Sequence, residues 1–235
     1  MWESSDQAID HVKKSLALTQ LFRSKIDNEK IISMEGHSGS KTRHFYNNLL
    51  NAIIPLNYLE VGSYMGSSFI SAMYKNTNAH GIAVDNFDTK YCVNQEEADK
   101  RYNAFLENIS NFLTHGEDFV HLKQDFRKLD LQSLPKLDVY LFDGDHCEQD
   151  QYDAFKMMYP CFADICVVII DDYNQLSVQS GTEKAFAEMP DEIPFEVKFK
   201  HIITYTKDGS QTPRWSIAFK EFWNGMGVFV LEKSK

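Results

Sequence analysis

The chain has 235 residues, a formal net charge of −10, and 43% hydrophobic and 13% aromatic residues. That length fits one large α/β domain or two small ones, and burial of about 70% of the unfolded surface gives ample core without staples. The apolar content argues against disorder, and the acidic balance against a nucleic-acid coating protein, which needs a basic footprint. The segment 1–15 has no apolar core of a signal peptide, and the longest apolar run, Ile165–Ile170, is far below the ~20 residues of a membrane span. Four cysteines (Cys92, Cys147, Cys161 and Cys166) form no C-x-x-C pair, which fits reduced thiols in a cytoplasmic protein.

Ile9, Val12, Leu16, Leu18 and Leu21 recur at helical spacing and predict an N-terminal helix over 5–23. Ser33–Arg43 reads as a polar Gly/Ser loop, and 44–54 as a second helix stopped near Pro55. Alternation follows: strand 58–61, helix 67–74, strand 80–84, helix 96–113, strand 119–123, strand 137–142, helix 148–159, strand 166–170 and helix 182–189. Segments 195–206, 215–219 and 228–232 end the chain as strands with no helix between them. This order predicts a Rossmann-like, seven-stranded, mostly parallel sheet with an antiparallel edge strand, helices on both faces and an N-terminal helical extension. No linker interrupts it, so one domain is expected: 1–54 as helices and a lid-like loop, 55–235 as the core.

The turn after the first strand reads YLEVGSYMGSS over 58–68. Its glycines, Gly62 and Gly66, let a ligand lie against backbone at the carboxyl end of the strand. Tyr64 stands where a dinucleotide fingerprint has its second glycine, which favours a nucleoside ligand without pyrophosphate. Glu60 suits a ligand ammonium group. Asp85, 23 residues after Gly62, ends the next strand and can accept both hydroxyls of a ribose. Asp125 and Phe126 can bind and cover an adenine edge, or Asp125 can simply close its turn. Asp143, Asp145 and His146 follow one strand, and Asp171 and Asp172 the next, so five ionisable groups converge if the strands are parallel. Four carboxylates packed together repel, a bound divalent cation removes that cost, and oxygen ligands suit Mg²⁺.

With the turn E-V-G-x-x-x-G-S-S, the acid at Asp85 and the segments LFDGDHCEQDQYDAF and VVIIDDYN, the stretch 58–174 resembles the class I S-adenosylmethionine-dependent methyltransferases. Within them it resembles the macrocin-type and cephalosporin hydroxylase-like group of sugar O-methyltransferases. The resemblance implies a donor site on Glu60, Gly62, Ser63, Gly66, Ser67, Asp85, Asp125, Phe126 and Asp143. It implies Mg²⁺ or Mn²⁺ on Asp143, Asp171 and Asp172. It also implies a catalytic base at Asp145 or His146, since relatives use either an acid two positions or a histidine three positions after the first metal acid. The metal would lower the pKa of an acceptor hydroxyl, and the base would take its proton.

The expected acceptor is a small molecule, a sugar or nucleotide sugar, with no nucleic acid and no membrane as partner. A catechol or other phenol, or a binding module without transfer activity, are the alternatives; a hydroxylase lacks a 2-His-1-carboxylate set. The aromatic-rich ends allow a homodimer. GHSGSKT over 36–42 only approaches a phosphate loop, because Ser40 takes the place of the glycine before Lys41. It reads instead as a lid whose Lys41, Arg43 or His44 touches the donor carboxylate or the acceptor, or as a plain polar connection. Tyr173 is expected to line the acceptor pocket, and Trp215 and Trp223 to pack near the antiparallel edge.

Overall fold

The computed structural model describes residues 1–88, 90, 92–189, 194–204, 221–222 and 224–234. Trp215, Trp223 and the strand expected over 215–219 lie outside the described residues. Helix α1 (Ser5–Gln20) is capped by Ser4, whose hydroxyl accepts from the backbone N–H of Gln7. Helices α2 (Glu29–Ile32) and α3 (Ser40–Leu50) follow. Then come β1 (Leu56–Val61), α4 (Ser67–Met73), β2 (Ala79–Asp85), α5 (Gln95–Phe112), β3 (Asp118–Lys123), β4 (Leu137–Phe142), α6 (Glu148–Met158), β5 (Phe162–Asp171), α7 (Leu176–Ala187), β6 (Phe195–Ile203) and β7 (Met226–Lys233).

The seven strands form one sheet in the order β3-β2-β1-β4-β5-β7-β6. The first five are parallel, and β7 runs antiparallel to both β5 and β6, giving an antiparallel edge pair. All six residues of β4 and all of β5 except Asp164 are buried. Such near-continuous apolar strands require cover on both faces. One face packs on Ala8 and Val12 of α1, Phe45 and Leu49 of α3, Phe69 of α4 and Phe105 of α5. The other packs on Phe155 and Met158 of α6 and Val178 and Ala185 of α7. The order reverses at β1, which pairs with β2 on one side and β4 on the other. Ligands bind outside the carboxyl ends of the strands at such a switch point. No helix among the described residues is long and apolar enough to cross a membrane.

Three elements differ from the sequence expectation for physical reasons. α1 stops at Gln20, so Leu21 is 61% exposed rather than part of the apolar stripe. α7 begins at Leu176, six residues before the expected 182, running through Gly181. A Cβ on Gly181 would lie 2.3 Å from the Glu148 carbonyl oxygen, so this glycine permits close helix packing instead of marking a loop. Ser40–Arg43, expected in the polar loop, forms the first turn of α3.

Arg43 consequently faces inward and is 2% exposed. Its guanidinium donates to the carbonyls of Ile31 (2.7 Å), Ile32 (3.0 Å) and Met34 (2.8 Å) and to Ser38 Oγ (3.1 Å). Lys41 pairs instead with Glu221 at 2.8 Å, and His44 Nδ1 meets Ser24 Oγ at 2.8 Å. Removing the guanidinium takes a donor from three carbonyls, of which Ile31 keeps another, the Met34 N–H at 3.4 Å, at about 1 kcal/mol or more each. Arg43→Met should lower unfolding stability by about 3 kcal/mol in urea denaturation; a loss under about 0.5 kcal/mol would show that water replaces these bonds freely.

Candidate active site

A cavity of about 670 Å³ opens at the carboxyl ends of β1, β2, β4 and β5. Gly62, Ser63 and Ser67 line it from the β1–α4 turn, Asp85 from β2, Asp125 and Phe126 from beyond β3, Asp143, Asp145 and His146 from beyond β4, and Asp171 and Asp172 from the end of β5. Gly62 has φ +94°, and a Cβ there would lie 1.8 Å from the Asp143 carbonyl oxygen. The backbone of the β4 end, more than a ligand, therefore demands this glycine. Gly66, at the start of α4, faces Ile70 and Phe105 and is not part of the cavity lining.

Glu60 also lies behind the cavity wall, fully buried. Its carboxylate accepts from Tyr58 Oη at 2.5 Å and from Ser68 Oγ at 2.9 Å. Burial pushes its pKa up to about 7 against the pull of these bonds. Asp85 accepts the backbone N–H of Tyr64 at 2.8 Å on one oxygen and that of Phe87 at 2.7 Å on the other. Each oxygen keeps a second lone pair for a ligand hydroxyl. Burial raises its pKa. Asp125 caps the turn at Arg127, accepting its N–H at 2.9 Å. Beside it Phe126 presents a ring packed edge-on to Phe142 at 5.5 Å.

The acids converge. The register places Val61 beside Phe142, and Phe142 beside Ile170, so Gly62, Asp143 and Asp171 leave the sheet as neighbours. Burial first, then the charges of Asp171 and Asp172, push the Asp143 carboxyl well above the usual carboxylate range. Burial and Asp172 do the same to Asp171. Asp172 has φ +53° and is 5% exposed. Its Oδ2 meets His146 Nε2 at 2.7 Å, and its buried Oδ1 has no hydrogen-bond partner. Gln175 Nε2 meets His146 Nδ1 at 3.1 Å, so the ring is held from both sides. Donor atoms of Asp143, His146 and Asp172 lie within 4.8 Å of one another. The orphaned oxygen and this donor set fit a divalent cation, with His146 in the place that the sequence expectation gives to Asp171. Asp145 is ion-paired with Lys90.

Several residues at the cavity carry no signal in the sequence. His37 lines the cavity and stacks on Tyr64 at 5.6 Å, and the Arg101 guanidinium lies 5.1 Å from the same ring. Nothing in the Gly/Ser loop or in α5 marks these partners. Tyr173 is not in the lining: it is 2% exposed and packs on Phe229.

Comparison with known proteins agrees with this geometry. Residues 59–173 match the family model described as a methyltransferase domain. TrmN from Thermus thermophilus superposes with a TM-score of 0.55 at 15% identity, over 87% of this chain and 52% of its own. The chain thus spans about half the length of that protein. Magnesium protoporphyrin IX methyltransferase from Synechocystis gives 0.53 at 11% identity, over 94% and 97% of the two chains. Precorrin-6y C5,15-methyltransferase from Geobacter metallireducens gives 0.52 at 15%, over 82% and 86%. No curated protein matches the chain in sequence. The chain therefore has the fold of these methyltransferase structures, and its central stretch, just under half of its length, resembles a methyltransferase domain.

Glu60 gives this site a pH signature. Its folded pKa of about 7 exceeds the ordinary 4.5, so the folded state binds the proton more tightly. Stability contributed by this group is full below about 4.5 and is lost as pH rises to about 7, up to about 3 kcal/mol in all. Glu60→Gln should narrow the difference in unfolding free energy between pH 4.5 and pH 8 by about that amount; an unchanged difference would place the proton elsewhere.

Proposed function

We propose that the protein is a divalent-cation-assisted O-methyltransferase that moves the methyl group of S-adenosylmethionine to a hydroxyl of a small hydroxylated acceptor, a sugar. The observation that carries this reading is the convergence of Asp143, His146, Asp171 and Asp172 on the cavity that Asp85 and the glycine turn also line. The likeness to known structures supports the fold alone. The donor's ribose belongs on Asp85, its adenine by Asp125 and Phe126, and its reactive end toward Asp143. Asp143, Asp171 and Asp172 would hold the cation, which would supply charge against the acids and lower the pKa of an acceptor hydroxyl, leaving His146 free of it.

We assign proton removal to His146. Gln175 and Asp172 fix its ring, and the carboxylate beside it stabilises the imidazolium that forms. The acceptor oxygen then attacks the methyl carbon, its proton passes to His146 Nδ1 as the acceptor hydroxyl takes the place of the Gln175 amide there, and the carbon–sulfur bond breaks to leave S-adenosylhomocysteine. Asp145, paired with Lys90, takes no part in this transfer. A sugar fits the polar lining beside the acids, where Asn224 borders the cavity and its carbonyl accepts from Asn174 N–H at 3.1 Å. The free thiols fit a reducing compartment, and we place the reaction in the cytoplasm.

Calorimetry should show S-adenosylhomocysteine binding to the full chain; no binding at millimolar ligand would remove the basis of this reading. On an acceptor found with methyl-labelled donor, His146→Ala should lower kcat by ~10²–10⁴-fold while affinity for S-adenosylhomocysteine stays the same. Near-normal kcat at saturating donor and Mg²⁺ would clear His146 of this role.

A further inference from the structure

The cavity is far more acidic than donor and cation require. Among the described residues, eight carboxylates and three lysine or arginine side chains line it, a formal balance of −5. The donor carries one net positive charge, so together with a divalent cation it offsets only three of these five. Such a surplus repels a phosphate or diphosphate and attracts a cation.

Asp145 shows where a cation would sit. Its Oδ1 accepts the Cys147 N–H at 3.2 Å, which fixes the carboxylate in the β4–α6 turn. Its Oδ2 is buried and pairs with the Lys90 ammonium and with no other group that the described residues show. Lys90 comes from the segment between β2 and α5, and its side chain is 57% exposed, against 17% for Asp145. The ammonium therefore reaches in from the solvent side to a carboxylate set in the wall. A mostly exposed lysine is easily displaced, because it returns to water at little cost.

Resting on the methyltransferase reading above, we infer that the acceptor is a cationic polyol, an amino sugar in type, whose ammonium group takes the place of Lys90 on Asp145. Its hydroxyl then reaches His146, the next residue. Asp145 is thus a specificity residue of the acceptor site. Nucleotide sugars and sugar phosphates are disfavoured by the same charge.

The test titrates the full chain, loaded with S-adenosylhomocysteine and Mg²⁺, with D-glucosamine, D-galactosamine, their N-acetyl derivatives and glucose 6-phosphate. The free amines should bind at least ~10-fold more tightly than the N-acetyl forms, and the phosphate should bind least. Asp145→Asn should abolish the preference for the amines, and Lys90→Met should strengthen their binding several-fold, with both variants still binding S-adenosylhomocysteine. Equal binding of amines and N-acetyl forms, tighter binding of the phosphate, or no binding of either amine would overturn the inference. Amine-selective binding that depends on Asp145, without methyl transfer, would support this site while contradicting the proposed reaction. Methyl transfer to neutral sugars with no preference for amines would do the reverse.

Discussion

Three carboxylates, Asp143, Asp171 and Asp172, are forced into each other's field where β4 and β5 end, and the rest of the site is arranged around that repulsion. The strands are adjacent and parallel, so their final acids cannot avoid one another. Burial and like charge both disfavour ionisation, and two of the three are pushed well above the usual range. Among the described residues the nearby His146 is the group that meets Asp172 directly. A fold tolerates such an arrangement when something that binds there repays it, and a divalent cation is the simplest such partner. Gly62 is part of the same constraint, because the Asp143 carbonyl occupies the space of its missing side chain.

The opposite wall depends on a different kind of contact. A Cβ on Gly36 would lie 2.1 Å from Ser67 Oγ, so the N-terminal loop is pressed onto the start of α4. Buried Arg43 gathers three carbonyls of that loop and Ser38 Oγ, and remains charged at neutral pH although burial pushes it down to about 10. His37, Tyr64 and Arg101 then stack, joining the loop, the β1–α4 turn and α5. Tyr64 is held at φ +47°, a left-handed conformation costly for a tyrosine, while its N–H reaches Asp85. One turn thus positions both the acid that suits a ribose and a ring at the cavity wall.

Much of this was legible in the sequence because it is local. The strand over 137–142 has the bounds its apolar run predicts, and acids directly after two such runs must meet once the strands are parallel. The glycine turn and Asp85 follow from the same βα alternation. What was hidden depends on contacts between distant segments. Arg43 looks like a lid residue in a polar stretch, and only the return of 31–38 over α3 makes it a buried pin. His37 and Arg101 are 64 positions apart in sequence yet share one tyrosine ring. Gly181 falls just outside the helix expected over 182–189, yet α6 lies against it within α7. The pairing of Asp145 with Lys90 likewise joins turns from different strands.

The central claim is that the acid cluster is a cation site, and Mn²⁺ titration followed by electron paramagnetic resonance tests it without any acceptor. The full chain with S-adenosylhomocysteine should bind about one Mn²⁺ per chain, displaceable by Mg²⁺, and Asp172→Asn should weaken that binding at least ~10-fold while the donor product still binds. Mn²⁺ that stays free, or binding indifferent to Asp172→Asn, would contradict the account.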